Sequence, residues 1–168
     1  MSVLTKKEIQ KLIKKKKVVI EPFDEKNIGP ASIDLILDNK FRILTKGKQI
    51  DIKNDTDYTK STKLIIGKSI VMKPGDVVLG ITKEKITLPS NVCGWLQGRS
   101  RFARLGLMIH ISSAFVQPGV SNKQVLEIVN LSKRTIKLNA GIRFCQIVLQ
   151  QTKGNAEYKG SWQGQETP

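Results

Sequence analysis

One histidine, His110, and two cysteines, Cys93 and Cys145, are all that this 168-residue chain offers of the usual transition-metal ligands. That excludes a zinc site built on several histidines, a His-Glu-x-x-His helix and the paired HxE and PCxxC pattern of zinc-dependent base deaminases. The cysteines lie far apart in apolar surroundings, cannot form a Cys-x-x-Cys knuckle and read as reduced core residues. No apolar run approaches the roughly 20 residues that span a bilayer. The N-terminal MSVLTKKEIQ lacks the apolar segment of a secretion signal, so a cytoplasmic protein is expected. Aromatic residues make up only 5% of the chain, and they do not interleave with the basic segments as in proteins that stack single-stranded bases. Any hydrolytic chemistry must therefore run on carboxylates, arginines and hydroxyls, with magnesium, if used, held mainly by substrate phosphates.

Positive charge is what the chain has in excess: 29 Lys and Arg against 14 Asp and Glu, a net +15. Such a charge implies acidic partners, either nucleic acid or a small polyphosphate. Many of the lysines, among them Lys14 to Lys17, Lys46, Lys48, Lys53, Lys60 and Lys63, are dispersed through the N-terminal half, which suits a generally solvated surface at least as well.

The chain reads as one domain, residues 1–168, long enough for a real core. Thr5 and Glu8 form a capping box, and Leu4 and Ile9 a hydrophobic staple, for one short amphipathic helix within residues 1–17. From Val18 the pattern is β. Ile33, Leu35 and Leu37 share one face of a strand, and a second strand covers Phe41 to Leu44. Residues 46 to 63 form a polar excursion with a short strand expected at Gln49 to Ile52. Leu64 to Met72 and Val77 to Thr82 are expected to form a hairpin about the Lys73-Pro74-Gly75-Asp76 turn. Further strands follow at Val92 to Leu96, Val125 to Asn130, Thr135 to Leu138 and Ile142 to Gln150. Strands this short and evenly spaced, with almost no helix, indicate a compact β-barrel or sandwich. The tail, 153–168, reads either as a disordered terminus or, given Tyr158 and Trp162 among its glycines and glutamines, as a flexible lid over a ligand.

Chemistry concentrates in Gly98 to Gly119, GRSRFARLGLMIHISSAFVQPG, followed by VLEIVN at 125 to 130. Alternation places Val125, Glu127 and Val129 on one face and Leu126, Ile128 and Asn130 on the other. Glu127, a lone carboxylate between valines, is either an edge residue reaching water or a buried group with a task. Taken alone, Arg99 and Arg104 read as a surface arginine pair capping a helical turn that ends at Gly106.

The blocks VVIEPFDEKNIGPASIDLILDNKFRIL, GRSRFARLGLMIH, QPG, VLEIVN and YKGSWQGQ resemble, in order and spacing, the dCTP deaminase family, which is related to the trimeric dUTPases. The resemblance spans nearly the whole chain. It implies a mainly β subunit, a distorted β-barrel or jelly-roll of the dUTPase-like type with a short N-terminal helix. It also implies a homotrimer with active sites at subunit interfaces, and Mg²⁺ bound with the triphosphate rather than zinc. The implied activity is hydrolytic deamination of dCTP to dUTP and ammonia. Two alternatives are dUTP diphosphatase activity and a bifunctional, dUMP-forming enzyme. A non-catalytic nucleotide- or nucleic-acid-binding β protein is a third reading.

Through the resemblance Glu127 is the general base and acid, shuttling a proton from a mostly apolar pocket that raises a carboxyl's pKa. Arg99 and Ser100 hold phosphate oxygens, Ser100 also helps fix the attacking water, and Arg104 orients Glu127. His110 to Gly119 resembles a base-reading hairpin, with backbone groups of Ile111, Ser112, Ser113 and Ala114 facing the cytosine edge and His110 structural. Val125, Leu126, Tyr158, Trp162 and Gln165 complete the expected substrate contacts, and Asp34 stands near the metal and phosphate waters or simply stabilises the fold. Three departures stand out. Gln117 occupies a usual aspartate position and can bond a 3′-hydroxyl but not act as a base. Arg101 replaces a serine of the motif. Ser161-Trp162 replaces Lys-Tyr, leaving Lys159 or Arg101 to meet the phosphate. Asn122 also stands where glycine is common.

Overall fold

The structure, a computed structural model, describes residues 2–168. Its first element is helix α1, Lys6–Lys14, which buries Ile9 and packs Leu12 and Ile13 against the core. Thr5 occupies the N-cap position, but its side chain makes no cap bond; Glu8 turns outward to Lys11 at 2.6 Å instead. The capping box is thus absent although the helix starts where expected. The Leu4 and Ile9 side chains, both buried, hold the entry of the chain.

The strands are β1 (Val19–Glu21), β2 (Ile33–Ile36), β3 (Lys40–Leu44), β4 (Thr62–Ile66), β5 (Ser69–Met72) and β6 (Val77–Thr87) in the first half. The second half adds β7 (Val92–Gly98), a helical turn α2 (Ser100–Ala103), β8 (Leu107–Ile109), β9 (Phe115–Val116), β10 (Ser121–Asn130), β11 (Ile136–Asn139) and β12 (Arg143–Gln151). They form a sheet in the order β4-β3-β6-β10-β8, with β1 also on β6; a sheet β2-β12-β7-β9; and the pair β11-β5. The sheets do not close into a barrel. The core between them is aliphatic, with Phe41 and Phe144 fully buried and Ile33, Leu35 and Leu37 on the inward face of the β2 segment.

Two further expectations are overturned. Residues 49–52 form no strand: Ile50 and Ile52 are exposed, because nothing in this charged stretch faces a surface on which they could be buried. The hairpin about Lys73-Pro74-Gly75-Asp76 is also absent. The turn itself forms, with Asp76 N–H donating to the Lys73 carbonyl at 3.0 Å. However, Gly67 splits the preceding run into β4, which pairs with β3, and β5, which pairs with β11. The turn carries the chain from one sheet into another, a step that a local turn signal does not distinguish from a hairpin.

β6 and β10 make the central pairing, and its register changes between Lys123 and Val125. Opposite Gln124, β6 accommodates two extra residues. The Thr82 hydroxyl accepts from Gln124 N–H and donates to the Glu84 carbonyl, so the bulge leaves neither of these backbone groups unpaired.

Candidate functional site

Glu127 lies midway along β10 and opens onto a cavity of about 460 Å³. Its burial pattern follows the strict alternation of the strand: Leu126 and Ile128 are fully buried, whereas the Glu127 side chain is 25% exposed. Ile111 N–H and Ser112 N–H both donate to its Oε2, at 3.0 and 3.1 Å. The carboxylate is therefore hydrogen-bonded and half-open rather than enclosed in an apolar pocket.

The hairpin that supplies these amides turns at His110, whose φ of 70° lies in the left-handed region. His110 N–H donates to the Glu127 carbonyl at 2.8 Å. Its ring Nε2 lies 2.8 Å from the Ser113 carbonyl. A carbonyl only accepts, so in the neutral ring Nε2 carries the proton and Nδ1 keeps a lone pair. That Nδ1 is buried, has no hydrogen-bond partner and stands 3.8 Å from Glu127 Oε2. The Ala114 carbonyl accepts from Leu96 N–H. The amides of Ile111 and Ser112 thus face the carboxylate in this state, whereas Ser113 lines the cavity.

Gln117, Val125, Tyr158, Trp162 and Gln165 line the same cavity. Leu126 does not. Its side chain points into the core, so only its backbone is available on this strand. Asn122 and Gln124, together with Tyr58 and Leu79, also line it.

The tail is strapped along β10. Gly164 N–H donates to the Ser121 carbonyl, Lys123 N–H to the Gln165 carbonyl, and Tyr158 N–H to the Pro118 carbonyl. Gly119, at φ 75°, makes this possible, since a Cβ there would sit 3.0 Å from Glu157 Cα. Asn122 has a clear part: buried, it donates from Nδ2 to the Trp162 carbonyl at 2.7 Å, a bond glycine cannot make. Sequence reasoning missed Asn122's role, Gln124, Tyr58 and Arg42, because their use depends on where the tail lies.

Beneath the tail, Lys123 Nζ meets Asp38 at 2.9 Å. Burial works against ionising Asp38, but the Lys123 ammonium and the Asn39 amide outweigh it and hold its carboxyl below the usual range. Glu84, beside the bulge, is buried and accepts from Ile36 N–H, and burial raises its pKa. Burial likewise pushes the free Cys93 and Cys145 thiols up, which makes them poor nucleophiles.

The arginine motif sits elsewhere. α2 is a single helical turn, followed by a turn that closes at Gly106, φ 81°, and Phe102 packs on Phe144 with ring centroids 5.4 Å apart. Arg99 is tied down: Nη2 pairs with Asp34 Oδ2 at 3.2 Å and Nη1 donates to the Arg143 carbonyl at 2.9 Å, while Arg143 also approaches Asp34 at 3.8 Å. Ser100, Arg101 and Arg104 are exposed. Within one chain none of these four lines the Glu127 cavity or bonds to Glu127. Lys159 meets Glu157 at 3.8 Å and Ser161 is exposed. No group of three His, Cys, Asp or Glu side chains placed to hold a metal ion occurs among the described residues, and no helix among them is long and apolar enough to cross a membrane.

A family model described as dCTP deaminase-like matches residues 3–152. The chain belongs to that family. It is 36% identical over 166 residues to the dCTP deaminase of Marinomonas sp. (strain MWYL1), covering 92% of this chain and 86% of that one. To a "dCTP deaminase, dUMP-forming" of Nanoarchaeum equitans (strain Kin4-M) it is 38% identical over 164 residues, covering 87% and 82%. Among solved structures, the 2′-deoxycytidine 5′-triphosphate deaminase of Agrobacterium tumefaciens superposes with a TM-score of 0.69 at 20% identity, over 90% of this chain and 48% of that one, so this chain spans about half its length. A dUTPase from phage phi11 of S. aureus superposes with a TM-score of 0.53 at 12% identity, over 86% and 96%. The fold is the dUTPase-like β fold.

Proposed function

We propose that the protein is a hydrolase that converts dCTP and water to dUTP and ammonia, with Glu127 as the proton carrier. The observation that carries this reading is the Glu127 carboxylate, aimed into a nucleotide-sized cavity with a hairpin of backbone groups beside it. Glu127 takes a proton from a water as its oxygen bonds to the pyrimidine carbon bearing the amino group, and delivers that proton to the ring nitrogen. It then moves the second water proton to the amino group, which leaves as ammonia while the carbonyl forms. One residue serves both steps because the carboxylate is a base before each transfer and an acid after it.

Gln117 faces the sugar side and offers an amide to a hydroxyl. Trp162 and Tyr158 cover the nucleotide. The arginine motif contributes from a second copy of the chain, in keeping with a homotrimer whose sites lie between subunits. There Arg99 and Ser100 hold phosphates, and Arg104 orients the Glu127 of its neighbour. Among the described residues no three His, Cys, Asp or Glu side chains cluster to cage a metal, so magnesium would arrive on the triphosphate and neutralise its charge, with Asp34 the carboxylate paired with Arg99.

The relatives named dUMP-forming favour a second reading, in which pyrophosphate release follows deamination in the same site. Incubating the protein with Mg²⁺ and dCTP, resolving the nucleotides and assaying ammonia and pyrophosphate separates the two. Ammonia with accumulating dUTP supports the deaminase, and ammonia with dUMP and pyrophosphate supports the bifunctional enzyme. Glu127→Gln should abolish ammonia release while dCTP still binds. Near-normal turnover in that variant overturns the assignment of Glu127.

A further inference from the structure

Arg42 carries no role in the reading above, yet it shares a sheet face with Glu127. Leu79 on β6 is paired with Glu127 on one side and with Arg42 on the other. Directly paired residues project to the same face, so Glu127, Leu79 and Arg42 form a row two strand spacings long, about 10 Å. Arg42 is half-buried and every polar contact it makes leads to the tail or to the segment that supports it. Its Nε donates to the Pro168 carbonyl at 2.6 Å. Its Nη1 donates to the Thr62 hydroxyl at 3.2 Å, and that hydroxyl donates in turn to the Tyr58 carbonyl at 3.1 Å. The guanidinium lies 5.8 Å from the centre of the Tyr58 ring. Tyr58 meets Trp162 edge to face at 6.0 Å. Beside it, Lys40 Nζ donates to the Glu166 carbonyl at 3.1 Å.

We propose that Arg42 is a positioning residue: with Tyr58 it forms a latch that holds the tail, through Trp162 and Pro168, over the Glu127 cavity. The polar excursion at 46–63 then has a use, since it ends in the short 3₁₀ turn that presents Tyr58. That turn is fixed by Asp57 accepting from Thr59 N–H at 2.9 Å. The latch sets how tightly nucleotide is enclosed and does not touch the reacting atoms. Its geometry stands without the proposed activity, although its effect on turnover rests on that reading.

The test uses the full chain in a Trp95→Phe background, in which Trp162 is the remaining tryptophan. Without nucleotide, Arg42→Ala should shift Trp162 emission to the red and speed tryptic cleavage after Lys159 several-fold, with Arg42→Lys intermediate. With Mg²⁺ and dCTP, losing the charged hydrogen bond and the ring contact should raise KM about tenfold, the order expected for about 1.4 kcal/mol. Combined with Trp162→Ala, Arg42→Ala should cost clearly less than it does alone, because the two share the contact through Tyr58 while the bond to Pro168 accounts for the remainder. A merely structural Arg42 would lower the melting temperature and multiply with Trp162→Ala. Unchanged emission and cleavage, or multiplicative effects on KM, overturn the latch. If dCTP is not turned over at all, emission and cleavage still decide the latch; if dCTP is turned over but they do not change, the latch alone fails. Should Arg42→Ala not fold, Tyr58→Leu removes the aromatic contact and is read in the same way.

Discussion

The two halves of the proposed site are built on opposite plans. The carboxylate half is wrapped by its own chain: hairpin amides grip Glu127, the tail covers it and a bulge in β6 supports the strand beneath. The arginine half faces outward on one helical turn, held by an aromatic contact and an ion pair. A group that must tune and shuttle a proton needs fixed partners within its own fold. Groups that recognise phosphate need charge and reach, and they can be lent by a neighbour. On the proposed reading, assembly joins the halves.

The sharpest way to break that contrast is to mix variants. Glu127→Gln and Arg104→Ala should each lose at least about a hundredfold in ammonia release. Refolded together, they should recover up to about a quarter of wild-type turnover, the share of interfaces in which a symmetric assembly pairs two intact halves. No recovery would mean that one chain supplies both halves. A smaller effect tests the anchoring of the outward half. Phe102→Ala removes the ring that stacks on Phe144 and should cost about 2 kcal/mol, below the range for a fully buried phenylalanine. It should lower the melting temperature and raise KM with Glu127 untouched; an unchanged melting temperature would show that the turn is held otherwise.

The smallest effect concerns the buried support of the carboxylate half. Glu84 is raised above its ordinary 4.5 by burial, so the folded protein holds this proton more firmly than the unfolded chain. Its contribution to stability is therefore most favourable at low pH and falls as pH rises from about 4.5 through the raised value. Glu84→Gln keeps an acceptor for Ile36 N–H and removes the charge. It should be more stable than wild type at pH 8, by a few degrees in melting temperature, with the gap closing near pH 4. An equal gap at both pH values would show that ionisation is not the cause.

The sequence made the face of Glu127 legible because a two-residue period in VLEIVN leaves no choice once Leu126 and Ile128 are core. The helical turn ending at Gly106 was equally plain, since glycine supplies the positive φ there. What escaped was long-range. Lys-Pro-Gly-Asp specifies a turn but not which sheets it joins, so β5 went to β11 rather than β6. Capping chemistry placed the start of α1 correctly, yet a neighbouring lysine took the glutamate. Arg42 and Tyr58 carry no local signal at all, because their contacts depend on a tail more than a hundred residues away.

The strap of the tail along β10 has one more consequence. Over residues 121–123 the tail takes the place of a neighbouring strand, satisfying N–H and C=O groups that β8 does not reach. Lifting it bares a stretch of unpaired strand edge, the feature through which β proteins join one another edge to edge and aggregate. On the proposed reading, a tail that opens for each nucleotide must therefore open briefly. A protein that has lost its tail should be limited by solubility before it is limited by chemistry.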